Sequence, residues 1–151
     1  ASRIFTAEQN GLAQAWAGRV FCNPPGGIDE NRDSIPRKFW RRLVKGWLDG
    51  HVAQGYFVAF SIEFLQVAQN GSLGLPLPTD FPMCIPKARP QYTKPVEHAG
   101  RGGFDLVPDT SPTHAGALIY LPPRAHWPGY VERFRQAHEG IGAVFNLRGQ
   151  P

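Results

Sequence analysis

The chain has 151 residues, 42% of them hydrophobic, which is enough apolar material for one sizeable core and too little for two. Its 16 Lys and Arg against 12 Asp and Glu leave a formal charge of +4, a basic excess compatible with phosphate binding but too modest to require it. Two cysteines without C-x-x-C spacing argue against a disulfide framework and a zinc site, and no apolar stretch approaches membrane-spanning length, so we expect a single domain, residues 1–151, in a reducing cytoplasm.

Gly18 to Cys22 is apolar enough for a short buried strand, and it ends at Asn23-Pro24-Pro25-Gly26. Proline lacks an N–H and restricts the residue before it, so the chain must leave any sheet ladder there. The stop is either a plain tight turn or a rigid loop that aims the Asn23 amide and nearby carbonyls at a ligand. Residues 26–34 are polar and predict a loop closed by Ser34, a helix cap with Pro36 in the first turn.

From Arg37 to about Val52, Phe39, Trp40, Leu43, Val44, Trp47 and Leu48 recur at helical spacing, with Lys38, Arg41, Arg42, Lys45 and Asp49 on the other side. Residues 56–62 form a continuous apolar run suited to a strand covered on both faces. A short helix is expected over 62–69, a Gly/Pro-rich loop over 71–80, strands over 81–86 and 114–123, a helix over 128–139 and a closing strand over 141–146. The glycines of residues 100–109 lack a strand before and a helix after them, which predicts a flexible loop rather than a phosphate cradle. This alternation points to an α/β layer structure with a mixed sheet.

Several residues admit two readings. Arg37, Lys38, Arg41, Arg42 and Lys45 could meet DNA phosphates, but a solvated helix face is the commoner use of such a stripe. For Arg89 a phosphate contact and a structural ion pair weigh equally. The five histidines, at 51, 98, 114, 126 and 138, have no metal-ligand spacing and predict surface or loop positions. Ser61 and Ser111 lack a nucleophile-elbow pattern, so hydrolase chemistry has no support.

Residues 10–27, NGLAQAWAGRVFCNPPGG, resemble the segment of phage-type and prophage-type DNA adenine methyltransferases in which D/N-G-L, W-x-G and a strand lead to N-P-P-Y. Residues 39–60 resemble that family's helix and next strand, 80–92 its F-P-x-C-x-P-x-x-R-x-x-Y/F segment, and 111–121 its later strand. The resemblance implies transfer of a methyl group from S-adenosylmethionine to the exocyclic amine of an adenine flipped out of double-stranded DNA. It assigns Asn23 and Pro24 to holding that amine, Pro25 to stiffening the turn, Asn10 and Leu12 to the cofactor, and Arg37, Lys38, Arg41, Arg42 and Arg89 to DNA. Gly26 stands where the family carries the base-stacking Tyr or Phe, a contact worth roughly 1–3 kcal/mol. Phe39, Trp40, Tyr92 or Trp127 would have to replace it.

The family's main cofactor segment lies upstream of N-G-L, and nine residues precede Asn10. The expected architecture is therefore a partial Rossmann-like methyltransferase fold with a mixed sheet, lacking the N-terminal cofactor-binding segment. An open sheet edge would then invite a second copy or a missing N-terminal segment. The alternative is a catalytically silent remnant of the family serving as a DNA-binding or oligomer-forming module.

Overall fold

The computed structural model describes residues 3–6, 8–70, 73–89, 91, 93–97, 103–109 and 114–146. The first strand, β1, is Gly18–Cys22, as the sequence predicts, and it stops at the two prolines. It is not a buried strand, however. Only Cys22 is buried, because β1 lies at the edge of the sheet with β2 as its single partner among the described residues.

Helix α1, Ile35–Leu48, begins where expected: Ser34 caps it, its Oγ accepting from the Arg37 N–H at 3.4 Å, and Pro36 sits in the first turn. It ends four residues short of the expected Val52. Gly50 follows with φ of 80° and donates its N–H to the Trp47 carbonyl, a left-handed stop that glycine adopts without steric cost. Trp40, Leu43, Val44 and Trp47 repeat at helical spacing and are all buried. Each such side chain contributes about 1.5–3 kcal/mol by leaving water.

Strand β2, Val52–Ala59, starts earlier than the predicted 56–62 for the same reason: the Gly50 turn frees Val52 to enter the sheet. Then follow α2 (Glu63–Gln69), β3 (Met83–Pro86), β4 (Thr93–Glu97), β5 (Phe104–Pro108), β6 (Ala117–Leu121), α3 (Trp127–His138) and β7 (Gly142–Phe145). Five strands make one sheet in the order β1-β2-β6-β3-β7. The β1–β2 pair is parallel and joined through α1, whereas β6 is antiparallel to both β2 and β3, and β7 is antiparallel to β3. The fold is α/β with a mixed sheet.

Residues 104–108 correct the loop expected over 100–109. They pair with β4 over five positions, from Thr93 opposite Pro108 to Glu97 opposite Phe104. Pro95 hides β4 in the sequence; it is tolerated because each strand of a two-stranded ribbon is an edge strand.

Successive side chains on β2 point to opposite faces. Phe57 meets Trp40 edge-on at 5.3 Å and stacks on Phe64 of α2 at 5.1 Å, while Tyr56 packs on Phe134 and His138 of α3. Helices thus cover both faces, with the larger core under α1 and α2. Because β1, β2 and β3 run in one direction, their carboxyl ends share a single edge of the sheet. The entries to β6 and β7 lie on that edge too, tied by Ile62 N–H to the Ala115 carbonyl at 2.9 Å and Lys87 N–H to the Ile141 carbonyl at 3.0 Å.

Candidate functional site

At the carboxyl end of β1 the four-residue motif divides by burial. The Pro24 side chain is fully buried, whereas Asn23, Pro25 and Gly26 are exposed. The buried ring anchors the turn and leaves the Asn23 amide facing solvent, at the edge where open α/β sheets place ligands. A Cβ added to Gly26 would meet no atom within 4 Å, so the space that an aromatic ring would fill there is open.

The loop after the motif is pinned from within and from α1. Asp29 Oδ1 accepts from the Asn31 and Asp33 N–H groups at 3.0 and 2.8 Å, and the Gly27 carbonyl accepts from Ile35 N–H at 3.1 Å. Lys38 pairs with Asp29, and Arg37 and Arg41 both reach Asp33. The hydrogen bond from Lys38 is the main reason the Asp29 carboxyl titrates below its ordinary range, and that from Arg37 does the same for Asp33. Arg37 also donates to the Asn70 carbonyl at 2.9 Å, and Arg42 donates to the Gln14 carbonyl with its guanidinium 5.5 Å from the Trp16 ring. With Lys45 paired to Asp49 at 3.1 Å, all five cationic candidates on α1 have partners within the chain. Arg89 is exposed just past β3, on the same edge of the sheet as Asn23.

Asn10 precedes, and Leu12 lies on, a 3-10 turn over Gly11–Ala13 that rests against α1. Asn10 is exposed in the left-handed conformation, its carbonyl accepting from Ala13 N–H at 2.8 Å, and Leu12 is half-buried. One exposed turn is not a cradle for a molecule the size of S-adenosylmethionine, and these two residues by themselves do not fit that cofactor.

Of the rings that could replace the missing aromatic, Trp40 is corrected to a core position. It is 2% exposed and packs edge-on against Phe57, Phe64 and Phe81. Phe39 is half-buried against Trp16. Tyr92, the Trp127 side chain, Ser111, His98 and the His126 side chain lie outside the described residues.

Two features escaped the sequence reading. An open hollow of about 350 Å³, lined by Ser61, Ile62, Glu63, Gln66, His114 and Ala115, occupies the edge between the end of β2 and the start of β6. Its signal was available: Ser61 lies at the end of one predicted strand, 56–62, and His114 opens another. The second is His138, expected at the surface but only 8% exposed. Its Nδ1 lies 2.8 Å from the Phe134 carbonyl and can only donate there, so in the neutral ring Nε2 accepts from the Tyr56 hydroxyl at 2.8 Å. Burial, with a smaller contribution from Cys84, pushes the Tyr56 hydroxyl up to about 12. Burial likewise raises the Cys22 thiol to about 12, and both cysteines are free and buried.

Among the described residues no cluster of His, Cys, Asp and Glu could hold a metal ion, and no helix is long and apolar enough to cross a membrane. Compared with family models, curated proteins and solved structures, the chain matches none.

Proposed function

We propose that this chain forms the target-base side of a DNA adenine methyltransferase dependent on S-adenosylmethionine. The observation that carries the reading is Asn23, held exposed by buried Pro24 at the carboxyl end of a parallel strand joined through a helix to its neighbour. In this reading the Asn23 side-chain oxygen and the Pro24 carbonyl accept the two N–H bonds of the adenine amine. Accepting both turns the nitrogen lone pair outward, ready for in-line attack, and positioning of this kind supplies much of the rate. The cofactor supplies the methyl group when bound, and its pocket has to come from surface beyond the Asn10 and Leu12 turn. We read the sheet accordingly as part of a Rossmann-like fold, completed by a second copy or by further chain along β1, in a bacterial cytoplasm. Phosphate contact by Arg37, Lys38, Arg41 and Arg42 would need each to exchange an internal partner, and Arg89 is a candidate by its place on the edge that carries Asn23.

The test is transfer of labelled methyl groups to adenine in double-stranded DNA. Asn23→Ala is expected to lower the rate about a hundredfold, the scale of losing a positioning contact. An active wild type with an equally active Asn23→Ala overturns the assignment.

The poor fit of Asn10 and Leu12 to the cofactor favours a second reading, a silent remnant that binds DNA. It predicts salt-sensitive DNA binding indifferent both to S-adenosylmethionine and to Asn23→Ala. Calorimetric titration with the cofactor separates the two.

A further inference from the structure

The hollow between the end of β2 and the start of β6 has a floor fixed by backbone hydrogen bonds. Ile62 donates its N–H to the Ala115 carbonyl and accepts from the Leu65 N–H, both at 2.9 Å, and the Ser61 carbonyl accepts from the Phe64 N–H at 3.0 Å. A Cβ on Gly116 would lie 2.6 Å from the Ala59 carbonyl oxygen, so glycine is what lets β6 enter this close to β2. Behind the floor Phe64, 6% exposed, stacks on Phe57 at 5.1 Å and anchors α2 to the core.

The polar groups around that floor differ from those of α1, whose cations are all paired. The side chains of Glu63, Gln66 and His114 line the hollow and make no hydrogen bond or ion pair among the described residues. Ser61 Oγ accepts from the Glu63 N–H at 3.1 Å and keeps its own O–H to donate. The Glu63 carboxylate can only accept, whereas Ser61, Gln66 and the His114 ring can each donate. Ile62, 40% exposed, and Ala115 add an apolar wall. A volume of about 350 Å³ is near the lower end of the roughly 300–1,000 Å³ of ligand pockets, and it suits one flat ring with part of its sugar rather than anything larger.

We propose that this hollow binds an unpaired cytosine base. One acceptor among several donors matches the cytosine edge, which presents a single exocyclic amine beside two acceptors, the ring N3 and O2. Glu63 accepts from the amine, as carboxylates do from cytosine N4. Gln66 and a neighbouring donor satisfy N3 and O2, and Ile62 lies against the face of the ring. Uracil and thymine carry a carbonyl oxygen in place of the amine, and that oxygen would meet the carboxylate with no proton between them. The same edge is occupied in a closed duplex, so the base comes either from a free nucleoside or from an unpaired position in a strand. The hollow lies on the sheet edge that carries Asn23, which makes a strand-borne cytosine a neighbour of the target adenine in the reaction proposed above. Binding of the base does not depend on that reaction.

The experiment follows backbone amide shifts by NMR while the wild type, Glu63→Gln and Gln66→Ala are titrated with cytidine and with uridine at millimolar concentrations, with a thermal melt of each protein. Cytidine is expected to shift the amides of Ser61, Ile62, Glu63, Gln66, His114 and Ala115 and to bind about tenfold more tightly than uridine, the scale of one matched base contact. Glu63→Gln, whose amide can turn its N–H groups toward a carbonyl, should lose that preference. Gln66→Ala should weaken cytidine severalfold, and all three proteins should melt alike because both side chains are exposed. A wild type that binds neither nucleoside, or both equally, overturns the proposal and leaves the methyltransferase reading standing. So does a cytidine response centred on Asn23, or a Glu63→Gln protein that keeps the full preference. If cytidine binds as expected but the wild type transfers no methyl group, the reaction is overturned and the cytosine site remains. A short thymine oligonucleotide with and without one cytosine then separates the two sources: tighter binding of the cytosine-bearing strand makes the strand the source, and equal binding makes it the free nucleoside.

Discussion

At Gly26 the backbone φ lies outside the left-handed range, and a side chain would point into open space. Nothing in the fold demands glycine there. We therefore expect Gly26→Tyr to fold with an unchanged melting temperature and, under the proposed function, to bind an adenine-containing duplex about tenfold more tightly through one added base–aromatic stack. Equal affinity measured by anisotropy would show that the base does not pass over this residue. The sequence made Asn23 legible because two prolines after a strand leave few conformations. It did not reveal that burial divides the motif, since which proline ring turns inward depends on packing between elements distant in sequence. His138 was misjudged for a similar reason: one turn of helix fixes its Nδ1 bond, but Tyr56, 82 residues away, decides its burial.

Among the elements, α1 does two jobs with two faces. Its buried face carries Trp40, which fills the space among Phe57, Phe64 and Phe81. Trp40→Ala should cost about 3–5 kcal/mol, a large fraction of the stability of an ordinary domain, and a urea unfolding curve measures it. Its outer face tethers the loop behind the motif through Asp29 and Asp33. Both carboxyls titrate below the ordinary value of 3.8 in the folded protein. The unfolded chain therefore binds protons more readily than the folded one, so the tether is fully present above that value and is lost as pH falls through the lowered folded values. The protection of the Asn31 and Asp33 amides against exchange, taken relative to the intrinsic rate at each pH, should fall at acid pH, and high salt should mimic the effect because the pairs are partly exposed. Asp29→Asn, which replaces the carboxylate that accepts from both amides with a group that does not titrate, should remove most of the acid dependence at both. Periodicity alone located α1, whereas its end was missed because the apolar pattern continues through Val52 while Gly50 turns the backbone. Ribbon strand β4 was missed because proline usually excludes a strand.

For the whole molecule, the edge position of β1 bears on assembly. Gly18–Cys22 pairs on one side with β2, and Phe21 is 69% exposed while stacked on Tyr56 at 5.7 Å. Light scattering is expected to give a mass above that of one chain, and Phe21→Lys, which places a charge beside the edge, should return it to one chain. A wild type of single-chain mass would leave this edge unpaired in solution. The same strand carries Asn23 at its end. A strand hydrogen-bonded along one side opens locally more readily than an inner one, so its amides should exchange faster than those of β2. Whatever pairs with β1 would then do more than cover an edge: by quieting that strand it would reduce the entropy lost when Asn23 is fixed on a ligand, and assembly and ligand capture would reinforce one another.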